Sequence, residues 1–288
     1  MEEYTVERTE WKPASRNERA GDHPDARTIE GEAIIKLEDG TPVATVLELR
    51  GAAGKRADLL GNMLQRGIPW NDSYKTKNGS ARVSGIRYAN QVFGTVAPQP
   101  MRRRYGCRYA VFHEQRPDIV GLLGEVFTGA WDTFQEHLPG PANQTMDLVS
   151  DQIHDDWRFR DTPWTSGIIN DIVSIPYHRD SGNIAGTWSA MIVLRNKADG
   201  GHLHLPEYGI MLDCFDRALV YFDGQATWHG VTPITLRNKE AFRRSIVMYS
   251  KRGCRDCGPA EFEAARAARQ ATEHDVPHDS PLKRADSQ

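Results

Sequence analysis

The chain has 288 residues, with 36 Lys plus Arg against 39 Asp plus Glu and a formal net charge of −3. That length accommodates one large domain or two small ones. The mild acidity leaves nucleic-acid binding open, because binding depends on local patches and not on net charge. No apolar run reaches the length of a membrane span, and residues 1–27 carry no apolar h-region, so neither a membrane protein nor a signal peptide is expected. The four cysteines, Cys107, Cys214, Cys254 and Cys257, read as free thiols of a reducing compartment, which predicts a cytoplasmic protein.

In chain order, residues 1–30 are polar, charged and Pro-containing and read as a flexible segment. Residues 32–49 alternate around Ile34, Ile35, Leu37, Val43, Val46 and Leu47, broken by Asp39-Gly40, a hairpin signal. Leu59, Leu60, Met63 and Leu64 recur at helical spacing within 56–66. The clearest helix spans 116–138, where Pro117 suits the first turn. Its broad apolar face comprises Ile119, Val120, Leu122, Leu123, Val126, Phe127, Trp131 and Phe134, as expected of a helix packed outside a sheet. Pro139-Gly140-Pro141 stops it.

From residue 144 onward the segments shorten and become strand-like: 145–149, 167–175, 187–194, 209–214, 218–222 and 245–250. Short strands with Gly, Asp and Pro between them predict a sandwich or barrel. The reading is a mainly β (α+β) chain, a double-stranded β-helix (jelly-roll) with flanking helices. Residues 31–258 form one catalytic domain, with its β-helix core at about 143–251 and support from 31–142. A short charged helix and a disordered tail fill 259–288.

The chemistry-bearing residues lie in that core. His178 and Asp180 stand at i and i+2 in Tyr177-His178-Arg179-Asp180, so on extended backbone they point the same way, and His229 arrives from a distant strand. Two imidazoles and a carboxylate are the set by which non-haem Fe(II) oxygenases hold iron and leave open positions. Arg243 and Ser245 then project to one face of a strand, with Arg244 on the other. A guanidinium fork with a hydroxyl beside it suits the distal carboxylate of 2-oxoglutarate. His202 and His204 are rival ligands at i and i+2, read instead as the solvent or pocket face of a strand whose Leu203 and Leu205 face the core.

At these residues the chain resembles the TET/JBP family of Fe(II)- and 2-oxoglutarate-dependent dioxygenases, which oxidise the 5-methyl group of pyrimidines in nucleic acid. The resemblance covers about 143–251. It is carried by Thr165-Ser166-Gly167, by His178-Arg179-Asp180 with Asn183, and by the run from Gly200-Gly201-His202 through Pro206-Glu207-Tyr208-Gly209. His229-Gly230-Val231-Thr232-Pro233 and Arg243-x-Ser245 through Tyr249 complete it. It implies Fe(II) held by His178, Asp180 and His229, 2-oxoglutarate anchored by Arg243 and Ser245, and O₂ as oxidant, with ascorbate supporting turnover. It also implies that Asn183 hydrogen-bonds the target base and that Tyr249 stacks on it. Lys251 departs from the pattern: TET proteins place a His there, and Lys only donates.

The implied partner is DNA with a flipped or single-stranded methylated base, acted on by a monomer with no membrane attachment. The implied reaction is 5-methylcytosine to 5-hydroxymethylcytosine, with formyl and carboxyl products as later steps. The alternatives are a thymine hydroxylase, an oxygenase of a free nucleotide or small molecule, and a non-catalytic binding module. Arg102, Arg103, Arg104 and Arg108 form the most basic run, and Lys251, Arg252 and Arg255 a second cluster past Tyr249; both are candidate phosphate contacts. Trp164, Trp188 and Trp228 flank the site in sequence; any could line a base pocket, and core packing is the preferred reading for each. Cys254 and Cys257 with His274 and His278 have a superficial zinc pattern, but their gap exceeds a zinc finger's and Pro277 interrupts it.

Overall fold

The structure, a computed structural model, describes residues 1–21, 24–68, 89–99, 101 and 104–274. Among these residues the order is β1 (Glu2–Thr5), β2 (Arg27–Ile29), β3 (Ala33–Lys36), β4 (Pro42–Glu48), α1 (Gly51–Gln65), β5 (Ala89–Val96), β6 (Arg108–Tyr109), α2 (Phe112–Gln115), α3 (Pro117–His137) and α4 (Pro139–Ser150). There follow β7 (Ser166–Asp171), β8 (Ser189–Asn196), β9 (Ala198–Gly200), β10 (Leu203–Leu205), β11 (Ile210–Leu212), β12 (Ala218–Phe222), β13 (Gly230–Val231), β14 (Ile234–Leu236), β15 (Phe242–Tyr249) and α5 (Ala260–His274).

Two sheets make the core. The larger has the order β1-β3-β4-β12-β8-β15-β7-β5-β6 and the smaller β13-β10-β11-β2, with β9 and β14 paired separately. Side chains alternate along the strands with period two, and the two faces of the larger sheet serve different layers. On β12, Ala218, Val220 and Phe222 face the smaller sheet and pack with Leu203, Leu205, Ile210, Leu212 and Val231. Leu219 and Tyr221 face the helices. On β15, Ile246 and Met248 face the helices, which leaves Arg243, Ser245, Val247 and Tyr249 on the inner side. Strands β7-β15-β8-β12 opposed to β13-β10-β11 form the double-stranded β-helix that the strand spacing predicts.

The helical layer packs as the apolar face of residues 116–138 predicts, with Pro117 in the first turn of α3. Phe134 stacks on Tyr221 with centroids 4.4 Å apart and an interplanar angle of 9°. The Tyr221 hydroxyl donates to the Ala130 carbonyl, which satisfies the polar end of a wholly buried ring. Truncating Phe134 to Ala would cost about 3–5 kcal/mol in a site this closed. The hairpin at Asp39-Gly40 joins β3 to β4, with the Asp39 carboxylate accepting from Thr41 N–H at 2.9 Å and Gly40 at a φ of 84°.

Three expectations are corrected. Residues 145–149 are not a strand but part of α4, where Ala142, Thr145 and Val149 are buried at helical spacing. The previous helix does stop just before Pro139, at His137, and Pro139 then opens this one. The N-terminal segment is anchored: β1 pairs in parallel with β3 and β2 with β11, and Thr9 N–H donates to the Glu207 carbonyl at 2.7 Å. Of the cysteines read as free thiols, Cys107 and Cys257 are joined in a disulfide, while Cys214 and Cys254 are free and buried. That bond also removes Cys257 from any zinc site, and His278 lies outside the described residues. No helix among the described residues is long and apolar enough to cross a membrane.

Candidate metal centre

The smaller sheet is extended by the segment before His178. Val231 N–H donates to the Ile175 carbonyl, and His178 and His229 exchange backbone hydrogen bonds of 2.9 and 3.0 Å. This pairing sets the two imidazoles side by side, with ring centroids 4.2 Å apart. Asp180 is turned in by a bond from its N–H to the Gly224 carbonyl at 2.8 Å. Gly224 leaves room for that carboxylate, since a Cβ there would lie 2.4 Å from Asp180 Oδ2 and displace it. The Asp180 Oδ1 then stands 3.4 Å from His178 Nε2 and 3.9 Å from His229 Nε2.

Both imidazoles have their tautomer set by the backbone. His178 Nδ1 is 2.9 Å from the Pro176 carbonyl and His229 Nδ1 is 2.9 Å from the Thr227 carbonyl. A carbonyl accepts only, so each Nδ1 carries a proton; the neutral His229 turns its Nε2 lone pair toward Asp180, while His178 Nε2 donates to Asp180 when the ring is charged and offers its lone pair there once it is neutral. Burial, with the neighbouring His178, pushes His229 down to about 4, so it is neutral and ready to ligate. Burial opposes ionisation of Asp180, but the hydrogen bond from His178 and the two imidazoles outweigh it and hold the carboxyl below its ordinary value. His178 is the converse case: burial opposes its charge and the Asp180 bond raises it. The three residues form a group able to hold a metal ion, their ligand atoms within 4.8 Å of one another, and no other such group occurs among the described residues.

His202 and His204 do not join it. His202 pairs with Asp213 at 3.0 Å, and the Nδ1 of the buried His204 shares a hydrogen bond of 2.6 Å with the Tyr177 hydroxyl. Trp164 and Trp188 belong to the helix-side core. Trp228 instead lies under the Arg179 guanidinium, 5.2 Å from its ring centroid.

The inner face of β15 carries an unusual group. Arg243 is 0% exposed, and only its Nη2 finds an oxygen, the Gly201 carbonyl at 2.6 Å. Its Nε and Nη1 have no such partner among the described residues, and the neighbouring Cys214 thiol is itself pushed up by burial. An unsatisfied buried guanidinium is costly unless an anion completes it. Gly201 makes room for it: at a φ of 69°, a Cβ here would lie 2.8 Å from Arg243 Nε. Ser245 is buried on the same face and receives Asn170 Nδ2 at 3.4 Å. Arg244, on the opposite face, is already paired with Asp171 at 2.8 Å. The residues present therefore fit a small dianion that offers a carboxylate to Arg243, in a jelly-roll that also carries a metal-competent triad.

The segments carrying the expected base contacts are laced together. Asn183 and Lys251 form a backbone bridge, Lys251 N–H donates to Thr165 Oγ1 at 2.9 Å, and Arg252 N–H donates to the Gly182 carbonyl at 2.9 Å. The buried Asn183 amide reaches Asp180 Oδ2 at 3.5 Å and Ser189 Oγ at 3.2 Å, so it adjoins the triad. Tyr249 is the last residue of β15 on the inner face. Arg104 and Arg252 are exposed, and Ala97, just before the Gln99–Arg104 bridge, lies against Gly253. Arg102 and Arg103 lie outside the described residues.

Sequence reasoning missed Glu207. It is 3% exposed, and its carboxylate accepts from Arg179 at 2.7 Å, Arg8 at 3.0 Å and Trp228 N–H at 2.6 Å. The only sequence signal was its place in Leu205-Pro206-Glu207-Tyr208-Gly209, where a carboxylate follows a buried strand directly.

A jelly-roll enclosing a two-His, one-carboxylate group defines the architectural class of the non-haem oxygenases. No family model matches the sequence, and no curated protein does either. Among solved structures the chain is similar to NgTET1 in complex with 5mC DNA, with a TM-score of 0.53 and 13% identity over 80% of each chain. It also matches a 2OG-Fe(II) oxygenase family oxidoreductase from Burkholderia pseudomallei, with a TM-score of 0.42 and 14% identity over 73% of this chain and 88% of that one. A third match is OsALKBH1, with a TM-score of 0.40 and 10% identity over 72% of this chain and 97% of that one. The first shows a shared fold: the chain has the fold of NgTET1.

Proposed function

We propose that the chain is an Fe(II)- and 2-oxoglutarate-dependent dioxygenase that oxidises the 5-methyl group of a pyrimidine in DNA, converting 5-methylcytosine to 5-hydroxymethylcytosine. One observation carries the reading: a fully buried Arg243 with two unsatisfied nitrogens on the inner face of the jelly-roll that also holds the His178, Asp180 and His229 group. The fold likeness to NgTET1, a protein solved with 5mC DNA, supports the choice of substrate. The catalytic domain takes in residues 31–258 together with β1 and β2, which pair into its two sheets.

His178 Nε2, Asp180 and His229 Nε2 would hold the iron, their unliganded side open. When bound, iron with 2-oxoglutarate and O₂ supplies the oxidising power that turns a methyl C–H into C–OH, 2-oxoglutarate leaving as succinate and CO₂. Arg243 binds the distal carboxylate through its free nitrogens, and Ser245 adds a donor. Asn183 orients the base edge beside Asp180, and Tyr249 provides its stacking surface. A duplex keeps the 5-methyl group in the groove, so the base leaves the stack to reach the site. Arg104 and Arg252 steady the flanking phosphates, with Arg102 and Arg103 as further candidates.

Lys251 favours thymine as the second reading. It only donates, which suits the O4 acceptor of thymine and not the N4 donor of cytosine. The test is succinate formation with Fe(II), 2-oxoglutarate and oligonucleotides that carry 5-methylcytosine, thymine or neither. Succinate raised severalfold by a methylated base and by no other supports the reading. Equal succinate with all three moves the substrate away from DNA methyl groups.

A further inference from the structure

Glu207 sits in the short turn after β10, and its hydrogen bonds go to residues next to the triad, in both ligand segments. Its Oε1 accepts from the guanidinium of Arg179, the residue between His178 and Asp180. Its Oε2 accepts from the backbone N–H of Trp228, the residue before His229. The N-terminal segment closes the same group. Arg8 donates to Oε1 and to the Ala226 carbonyl, Thr9 bonds the Glu207 carbonyl, and Trp11 lies 4.7 Å from Tyr177 and 6.2 Å from Trp228, centroid to centroid.

We infer that Glu207 is a positioning residue for the metal centre, a buried carboxylate that fixes the His178–Asp180 segment against the His229 segment, with Arg8 and Trp11 completing the clasp. The inference rests on reading the triad as a metal site. Two features separate it from ordinary packing. The acceptor bonds go to residues immediately adjacent to ligands in both segments, and the ion pairs are with Arg8 and Arg179, which remain 46% and 37% exposed at their side chains. Those arginines can turn to water when the carboxylate is lost, so the change falls on the geometry of the ligand segments more than on the core. Groups that orient ligands from behind typically alter metal affinity by about 10- to 100-fold when removed.

The test uses the full chain and Co(II) as the probe, under anaerobic conditions, following its visible d–d absorption. Wild type, Glu207→Ala, Glu207→Gln, Arg179→Met and Arg8→Met are titrated, and the metal-free proteins are melted alongside. Glu207→Ala is expected to weaken Co(II) about 10- to 100-fold and to alter the band shape. Glu207→Gln, which keeps an acceptor for Trp228 but no charge for the arginines, falls between it and wild type, with Arg179→Met close to it. If Glu207→Ala does not fold, the Gln and Met variants decide the question. Lower melting temperatures with Co(II) affinity within twofold of wild type overturn the inference and leave Glu207 a structural residue. A wild-type chain that binds no Co(II) overturns the metal reading and this inference together.

Discussion

Arg243→Met is the most telling perturbation, because it acts on a buried charge that the surrounding protein groups do not complete. Arg243 is 0% exposed and has one oxygen partner, the Gly201 carbonyl, while Nε and Nη1 have none among the described residues. If 2-oxoglutarate supplies the missing carboxylate, truncating the guanidinium removes one member of a buried, hydrogen-bonded charge pair, a loss of about 2–5 kcal/mol. Taking about 3 kcal/mol, and 1.4 kcal/mol per tenfold, the affinity for 2-oxoglutarate falls on the order of a hundredfold. Stability moves the other way, since replacing an uncompensated buried cation by an apolar chain of similar length is neutral or stabilising. The assay is a thermal-shift and calorimetric titration with 2-oxoglutarate in the presence of Mn(II), which avoids turnover. Wild type should gain melting temperature with ligand and Arg243→Met should not, although its ligand-free melting temperature is equal or higher. Arg244→Met, on the opposite face and paired with Asp171, should leave 2-oxoglutarate binding unchanged. A wild-type affinity in Arg243→Met, or a loss confined to Arg244→Met, would refute the reasoning.

Other outcomes follow from the same geometry. Gly224→Ala places a Cβ 2.4 Å from Asp180 Oδ2, so Asp180 must move and metal affinity, read by calorimetry, should fall at least about tenfold while the fold melts normally. Burial pushes His113 and His204 down to about 4 from an ordinary 6.5, so the folded chain binds fewer protons than the unfolded chain between those values. Their contribution is fully present above about pH 6.5 and is lost as pH falls toward 4, on the order of 2–3 kcal/mol for the 6% exposed His204. Melting temperature should therefore drop steadily from pH 7 to 4.5, and a flat profile would contradict these environments. Lys251→His restores an acceptor at that position and should raise the ratio of oxidised 5-methylcytosine to oxidised thymine in a mixed-substrate digest; an unchanged ratio would remove Lys251 from base selection.

The sequence made the centre legible wherever a local period decided the matter. The i, i+2 placement of His178 and Asp180 needs only extended backbone, and the separation of Arg243 from Arg244 needs only the alternation of β15. The Asp39-Gly40 hairpin and the apolar face of α3 are likewise local features. Residues 145–149 failed because a short apolar run fits a strand or a helix, and the deciding feature was Pro139 at the first position of α4. The N-terminal segment failed for another reason. It is polar, and what fixes it is strand pairing with β3 and β11 and an ion pair to a carboxylate 199 residues away. Glu207 and the Cys107–Cys257 bond, which spans 150 residues, are tertiary facts with no local period to betray them. The free nitrogens of Arg243, which bear most directly on function, became visible only once every neighbour was in place.

Nucleoside mass spectrometry tests the central claim most directly. The protein, with Fe(II), 2-oxoglutarate and ascorbate, is incubated with DNA containing both thymine and 5-methylcytosine, beside a His178→Ala control. The account predicts 5-hydroxymethylcytosine in the digest and none in the control. No oxidised 5-methylcytosine or thymine, while the wild type still converts 2-oxoglutarate to succinate, would contradict it.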